Sequence, residues 1–366
     1  MSKIVIDARE WSTSTGRYIS GLVQHLEKID SENDYTILLK PRDLEKYQPV
    51  SSNFHKLTCP YKEFTFSEQL GYKKQLDGLG ADLVHFGMVQ QPVRYKGKTV
   101  TTMNDLTTLR FDNPSKNSLV FKFKQRVYGW VNRKAAKKAS QLITYSQFVK
   151  DDVANYTGVN PDKIHAIHLA ADQIAVPAEA LHALEGKQFI MYIGRPTPHK
   201  NLERLIKAYA TLRAQHPELM LVLAGKKDAN YERIEADVRR QAIKGVVFTD
   251  FVSEGRLRWL YENCAAYVFP SLSEGFGLPG LEAMLHGAPV VSSNATCLPE
   301  VYGDAAHYFD PLDTQAMANA INEVLTDQEL RKSLVKKGKA QAGKYSWQST
   351  AEQTLEVYKK ALSQPA

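Results

Sequence analysis

The sequence has few cysteines and no long apolar run. Its three cysteines, Cys59, Cys264 and Cys297, are scattered and form no C-x-x-C pair, which argues against a disulfide framework or a zinc site and favours a reducing compartment. No apolar stretch approaches the roughly 20 residues that a membrane-spanning helix needs. A predicted strand begins at Ile4, which leaves no room for a secretory signal peptide. These absences predict a cytoplasmic protein.

Low-complexity tracts and repeats of roughly 20–50 residues are also absent. Instead, short apolar runs alternate with amphipathic helical patterns along 366 residues, too many for one ordinary hydrophobic core. This alternation predicts parallel sheets covered by helices. The predicted strands are 4–7, 35–39, 83–86, 99–103 and 141–145, then 189–193, 220–224, 245–248, 265–270 and 289–292. The two series predict two Rossmann-like domains that bind ligands beyond the carboxyl ends of their strands.

Acidic residues are missing from one segment of a basic chain. The net charge is +7, and residues 116–138 contain eight basic residues and no acidic one. A helix there would carry a basic stripe beside an apolar stripe. The basic stripe is Lys122, Arg126, Arg133 and Lys137, and the apolar one is Phe123, Val127, Trp130 and Val131. Two interpretations stay open: contact with an anionic membrane surface, or a helix that buries its apolar stripe and leaves a solvated basic edge. Nucleic-acid binding is not expected, because no recognised motif accompanies the charge.

A glycine-rich turn carries two glutamates. The predicted strand 265–270 leads into Glu274-Gly-Phe-Gly-Leu-Pro-Gly-Leu-Glu282, in which Pro279 opens a helix. Backbone N–H groups and the helix dipole at such a turn bind phosphate, and the carboxylates would accept hydrogen bonds from ligand hydroxyls. This combination predicts a sugar-nucleotide site. For Glu282 the alternative is a favourable acidic residue in the first turn of a helix.

Two cations follow the predicted strand 189–193. Arg195 and Lys200 lie on a loop stiffened by Pro196 and Pro198. A guanidinium binds phosphate oxygens in a fork and an ammonium acts as a mobile charge, which together suit a departing nucleoside diphosphate. The alternative is a solvated surface loop.

Several strings in the second half resemble one enzyme family. They are Ile193-Gly-Arg195, His199-Lys200-Asn-Leu, the run from Phe269 to Met284, Gly287-Ala-Pro-Val-Val-Ser and Leu298-Pro-Glu-Val301. In combination they resemble the retaining glycosyltransferases of family 4, which have the GT-B fold. The first half agrees more loosely, through Asp7-Ala-Arg9, Gly16-Arg-Tyr-Ile-Ser-Gly21 and Ala81-Asp-Leu-Val-His85. The chain looks most similar to bacterial mannosyltransferases that extend O-antigen or capsule chains.

The resemblance implies an α/β architecture of two Rossmann-like, doubly wound domains facing across a cleft. Residues 1–172 would form the acceptor-side domain and residues 173–345 the donor domain. Residues 346–366 would form a helix that returns to the N-terminal domain.

The resemblance also implies roles for the residues. Arg195 and Lys200 would bind the donor diphosphate, Glu274 the transferred sugar and Glu282 the ribose. Further donor contacts are expected from Gly16, Gly194 and the backbone amides of Phe276, Gly277 and Leu278. Gly16 alone in its loop fits an ordinary β–α turn equally well.

One position departs from the family pattern. Asn104-Asp105 stands where the family commonly has His-Asp, and Asn cannot titrate, so proton transfer there is disfavoured. Asp105 would orient the loop. His85, at another predicted strand end, would either line the cleft or serve as a structural side chain.

The expected reaction is retaining transfer of a hexose from a nucleoside-diphosphate sugar, with GDP-mannose as the first choice. The acceptor would be a saccharide or a polyprenyl-diphosphate-linked saccharide, the latter placing the protein on the inner face of the plasma membrane. No DxD motif is evident, so no metal or other cofactor is expected. The alternatives are a GT-B-fold sugar-nucleotide epimerase and a non-catalytic nucleotide-sugar-binding subunit.

Overall fold

The computed structural model describes residues 1–13, 15–111 and 118–364. Contacts divide the chain into two compact units. The first contains residues 1–109, 122–169 and 346–366, and the second contains residues 110–121 and 170–345.

The first unit is built on a parallel sheet of seven strands within the described residues, in the order β3-β2-β1-β4-β5-β6-β7. The strands are β1 Lys3–Asp7, β2 Asp34–Leu39, β3 Phe54–Thr58, β4 Leu83–Phe86, β5 Thr99–Thr102, β6 Gln141–Thr144 and β7 Ile164–Ala166. The helices are α1 Gly16–Ile29, α2 Lys73–Leu79, α3 Thr107–Arg110, α4 Ser118–Lys138 and α5 Gln147–Thr157. Every residue of β4, β5 and β6 is buried, as expected for parallel strands covered by helices on both faces.

The last helix of the described chain, α13 Trp347–Ser363, belongs to this first unit. The Ser346 hydroxyl caps its first turn by accepting a hydrogen bond from the Ser349 N–H at 3.1 Å. The helix packs on α1 and on β4–β6, and the Thr350 hydroxyl donates to the His168 carbonyl at 2.7 Å. The C-terminal segment is therefore an integral layer of the first unit.

The second unit has a parallel sheet of six strands among the described residues, in the order β10-β9-β8-β11-β12-β13. The strands are β8 Phe189–Ile193, β9 Met220–Ala224, β10 Val246–Phe248, β11 Ala266–Phe269, β12 Val290–Ser293 and β13 Ala306–Phe309. The helices are α6 Leu202–Leu212, α7 Ala229–Arg240, α8 Glu254–Asn263, α9 Leu278–Leu285, α10 Leu298–Tyr302, α11 Thr314–Thr326 and α12 Gln328–Ala342. The prediction of two Rossmann-like α/β domains is confirmed. In the described ranges, no helix combines the length and apolarity needed to cross a membrane.

Candidate active site

The candidate donor residues lie at the carboxyl ends of two neighbouring strands of the second unit. Strands β8 and β11 pair in parallel, with Ile190 opposite Ala266. The loop after β8 carries Arg195 and Lys200, and the loop after β11 carries Glu274. Because both loops leave the same edge of the sheet, the predicted cations and carboxylate come together there.

Asn201 fastens these two loops to each other. It has a left-handed backbone (φ 60°), which Asn tolerates better than most residues. Its Nδ2 donates to the Pro270 carbonyl at 3.0 Å and to the Pro311 carbonyl at 2.8 Å. The Leu272 N–H also donates to the His199 carbonyl at 2.7 Å. The position of Lys200, between His199 and Asn201, is thereby fixed.

Lys200 and Glu274 form an ion pair, with 2.6 Å between Nζ and Oε1. Both side chains are largely withdrawn from solvent, at 19% and 12% exposure, so the pair is held more firmly than a surface ion pair. The Lys200 ammonium also lies 5.6 Å from the centre of the Phe269 ring. Arg195 differs, because its side chain is exposed. The site thus combines one ordered cation with one that is open to an incoming anion.

The glycine turn before α9 is shaped by Tyr302. Gly277, at φ 95°, precedes the helix, and a Cβ there would lie 2.5 Å from the Tyr302 hydroxyl oxygen. A Cβ on Gly280 would lie 2.2 Å from the same oxygen. Burial raises the pKa of Tyr302 well above its ordinary value, which keeps the phenol protonated, and it donates to the Gly277 carbonyl at 2.5 Å. Both glycines are therefore required by close packing.

The other side of the turn is held by residues 296 and 297. The Glu274 N–H donates to the Thr296 hydroxyl at 3.1 Å, and the Cys297 thiol donates to the Glu274 carbonyl at 3.3 Å. Phe276 is buried with its ring edge-on to Tyr345, 5.6 Å between centres. The turn and the start of α9, with Leu278 as first residue, are thus rigid. Such a helix start presents N–H groups to an anion.

Glu282 is buried on α9, and the Tyr261 hydroxyl lies 3.4 Å from its Oε2. Pro279 is the second residue of the helix rather than the first. Glu282 is the fifth residue, and the first turn holds no acidic residue. The helix-dipole explanation of Glu282 is therefore wrong, because the dipole effect is confined to the first turn. Its role toward ribose stays a prediction.

Gly194 directly follows β8 and lies beside Gly225, which directly follows β9. Their φ angles are 147° and 151°, in the region that favours glycine. A Cβ on Gly225 would lie 2.3 Å from the Gly194 carbonyl oxygen. The Tyr231 hydroxyl donates to the carbonyls of Gly194 and Ala224 at 3.0 and 3.2 Å. The absence of a Cβ on Gly225 therefore lets the loop after β9 lie against the backbone of Gly194.

Three supporting residues were not identified from the sequence: Asn201, Tyr231 and Tyr302. An Asn directly before a predicted helix indicates a left-handed backbone conformation, so the sequence does contain a signal for Asn201. The two tyrosines act over 37 and 25 residues of sequence separation, and no local pattern marks them.

In the first unit the structure decides against a cleft role for His85. The ring is fully buried, with Nδ1 2.6 Å from the Tyr358 hydroxyl and Nε2 2.9 Å from the Thr102 hydroxyl. Burial lowers the pKa of His85 to about 3. The expectation that it lines the site is wrong, since both ring nitrogens already have partners within the unit.

Gly16 opens α1 in close contact with the preceding turn. A Cβ there would lie 1.9 Å from the Glu10 carbonyl oxygen, so the β–α turn alone accounts for the glycine. Asp105 accepts a hydrogen bond from the Thr107 N–H at 2.8 Å and thereby orients the start of α3. The Oδ1 atom of Asn104 is buried and has no hydrogen-bond partner among the described residues.

Helix α4 does not bury its predicted apolar stripe. Phe123, Val127 and Trp130 are exposed and Val131 is partly buried, while the helix packs through Asn132, Ala135 and Ala136, among others. The interpretation in which the apolar stripe is buried in the N-terminal core is therefore wrong. The side chains of the basic stripe, Lys122, Arg126, Arg133 and Lys137, are exposed as well. One face of α4 thus presents cations and apolar side chains together.

Comparisons with known proteins agree with this geometry. Residues 15–173 match the model of Glycosyltransferase Family 4, and residues 177–341 match that of the glycosyl transferases group 1. Over 237 residues the chain is 35% identical to the O-antigen chain mannosyltransferase B of Escherichia coli, covering 60% of this chain and 61% of that protein. It is 34% identical to the E. coli serotype-specific mannosyltransferase WbdA over 62% of this chain. The chain spans about three fifths of the first relative (61%) and under a third of the second (29%).

Solved structures share the fold at low sequence identity. A sucrose-phosphate synthase of Thermosynechococcus elongatus superposes with a TM-score of 0.78 at 18% identity, covering 98% of this chain and 99% of that one. The Anabaena protein HepE, in complex with UDP and glucose, gives a TM-score of 0.73 at 18% identity, covering 98% and 100% of the two chains. The chain therefore belongs to the glycosyltransferases, with a family 4 segment at residues 15–173 followed by a group 1 segment at residues 177–341.

Proposed function

We propose that the chain is a retaining hexosyltransferase that moves mannose from GDP-mannose to a saccharide acceptor. The observation that carries the proposal is the Lys200–Glu274 ion pair, held between two strand ends beside the glycine turn of α9. The pair sits where a diphosphate on the N–H groups of the turn would meet both the cation and the carboxylate. The relatives named as mannosyltransferases support the choice of sugar.

The chemistry follows from the charges. As the bond from C1 of the sugar to the diphosphate oxygen breaks, Lys200 and Arg195 neutralise the leaving group. Glu274, released from Lys200 by the arriving diphosphate, accepts hydrogen bonds from the sugar hydroxyls. The acceptor hydroxyl forms the new bond to C1 on the same face, and its proton passes to the leaving phosphate oxygen. No protein base is required, which suits Asn104, and no metal or other cofactor takes part.

The donor site is tested by Lys200→Ala, with Lys336→Ala on α12 as the matched control. Loss of one charge-assisted contact costs about 1.5–3 kcal/mol. Calorimetry should therefore show GDP binding roughly ten- to hundred-fold weaker in Lys200→Ala and unchanged in the control. Unaltered GDP affinity would overturn the proposed site.

Transfer of radiolabelled mannose distinguishes a transferase from the two alternatives. The measurement is made in EDTA, because the proposed reaction uses no metal ion. A binding subunit would bind GDP and transfer nothing, and an epimerase would convert the donor without an acceptor. Glu274→Gln should keep GDP affinity and lose transfer, because the carboxylate is assigned to the sugar.

We further propose that the acceptor is linked to polyprenyl diphosphate, and that the protein works on the cytoplasmic face of the plasma membrane. The exposed face of α4 supports this proposal. It carries Lys122, Arg126, Arg133 and Lys137 beside exposed apolar side chains, as helices lying on anionic membranes do.

Charge reversal tests the membrane proposal. A variant with Lys122, Arg126, Arg133 and Lys137 changed to Glu should lose flotation with phosphatidylglycerol vesicles, because each cation near such a surface contributes about 1 kcal/mol. The control reverses four exposed lysines on other helices, Lys207, Lys336, Lys339 and Lys360. Equal flotation of both variants would refute membrane contact through α4.

A further inference from the structure

A second element of the first unit exposes large apolar side chains. In residues 61–70, here called the aromatic loop although its end belongs to a π-helical turn at Glu68–Tyr72, Phe64, Phe66 and Leu70 are 69%, 88% and 67% exposed. Single exposed apolar residues need no explanation, but three within seven residues form a patch of the kind that marks an interaction site.

The aromatic loop has a defined, strained conformation. Phe64 has a φ of 62°, which is unfavourable for a bulky residue and persists only where neighbours enforce it. Its N–H donates to Glu68 Oε2 at 3.0 Å. The other oxygen of Glu68 pairs with the buried Arg9 guanidinium at 3.0 Å, and Arg9 also donates to the Tyr61 carbonyl at 3.2 Å. The loop is thus held from inside by a buried ion pair.

Ion pairs remove the negative charge of both glutamates from the surface of the aromatic loop. Glu68 is buried against Arg9, and Glu63 pairs with Lys40 at 2.9 Å with only 12% of its side chain exposed. Lys62 remains exposed. The solvent side of the loop therefore presents apolar groups and a cation.

The loop lies next to helix α4. The Phe64 ring centre is 6.1 Å from that of Tyr128 on α4. That helix exposes 68% of Phe123, 44% of Val127 and 52% of Trp130 among its cations. Two neighbouring elements therefore carry the same combination of apolar and basic side chains.

We propose that the aromatic loop is a preformed wedge that inserts Phe64, Phe66 and Leu70 among the acyl chains of an anionic bilayer, beside α4. The proposal deepens the proposed function, on whose membrane-bound acceptor it rests. The cations complement anionic headgroups, and apolar side chains enter the boundary between headgroups and acyl chains. Single-stranded nucleic acid fits less well, because Leu70 and Val127 cannot stack on bases.

The test is vesicle binding by Phe66→Ala/Leu70→Ala. The control variant, Phe251→Ala/Val50→Ala, removes two apolar side chains that are 77% and 84% exposed elsewhere. With vesicles of phosphatidylglycerol and phosphatidylcholine, partial burial of one Phe and one Leu predicts about ten-fold weaker binding of the loop variant, and no change in the control. Equal affinities of the two variants would overturn the proposal.

A second measurement reports insertion of the aromatic loop directly. In a Phe66→Trp/Trp130→Phe variant, lipids brominated on their acyl chains should quench the tryptophan fluorescence more strongly than in Trp130→Phe alone, because residue 66 would lie among the acyl chains. Vesicle binding without this additional quenching would overturn insertion, as would an oligonucleotide-binding activity that the loop variant loses.

The two proposals fail separately. Vesicle insertion without mannose transfer would remove the proposed function alone. Transfer to a soluble acceptor without insertion would remove the wedge alone.

Discussion

At the scale of the residue, the buried His85 ring is held by hydrogen bonds at both of its nitrogens, to the hydroxyls of Tyr358 and Thr102. Its place at a strand end fits both a ligand contact and a structural side chain. The hydrogen-bond partners that assign His85 a structural role are Thr102 and Tyr358, which lie 17 and 273 residues away in the sequence. Thr102 in turn lies 3.1 Å from the Tyr18 hydroxyl. Lys200 and Glu274 were predictable, by contrast, because their motifs are local and their strands are neighbours in the predicted topology.

The buried imidazole makes stability depend on pH. The pKa of His85 falls to about 3 in the folded protein because of burial, against about 6.5 in the unfolded chain. Between these values the unfolded state binds the additional proton, so stability is complete above pH 6.5 and falls as the pH drops. From pH 6.5 to 5 the loss from this group is about 2 kcal/mol. Urea unfolding of the wild type and of His85→Gln measures it.

The His85→Gln variant serves as the reference, because Gln forms hydrogen bonds but does not titrate. The wild-type curve should fall more steeply than that of His85→Gln over this pH range. Parallel curves would show that the imidazole is not held in its neutral form.

At the scale of the element, central strands were predictable and several edge strands were not. The strands found from apolar runs include β1, β4 and β8. The three that were missed, β3, β7 and β13, all lie at a sheet edge. Edge strands are covered on fewer sides, so their sequences lack continuous apolar runs. The burial of β3 alternates, for example. Apolar periodicity therefore reports burial on both faces rather than strand formation itself.

The packing of α1 on α13 is close enough to predict a substitution effect. A Cβ on Gly21 of α1 would lie 2.7 Å from the ring of Trp347. Gly21→Ala should therefore destabilise the protein by about 1–3 kcal/mol through overpacking, less the gain in helix propensity. Chemical denaturation measures the change in the free energy of unfolding.

Gly78 on α2 is the matched control, because a Cβ there meets no atom within 4 Å. Gly78→Ala should stabilise the protein by about 0.5–1 kcal/mol. If both substitutions changed the free energy of unfolding in the same direction, the contact between Gly21 and Trp347 would not determine the effect of Gly21→Ala.

At the scale of the whole molecule, the chain builds its first unit from both ends. The second unit is nearly continuous, but the first needs residues 346–366 to complete it. Helix α13 buries Trp347 and Tyr358, among others, against the first unit. Losing a buried aromatic side chain costs about 3–5 kcal/mol, so two such losses approach the roughly 5–15 kcal/mol that stabilises a domain.

Deleting residues 346–366 should therefore unfold the first unit selectively. In hydrogen exchange followed by mass spectrometry, peptides from residues 1–109 and 122–169 should lose protection. Peptides covering β8–β13 should keep it, because their sheet and its helices lie within 170–345. GDP at a hundred times its dissociation constant should still add about 2.7 kcal/mol to the stability of this second unit. Loss of protection in both units would mean that they fold as one cooperative body, and unchanged protection in the first would mean that α13 is dispensable to its core.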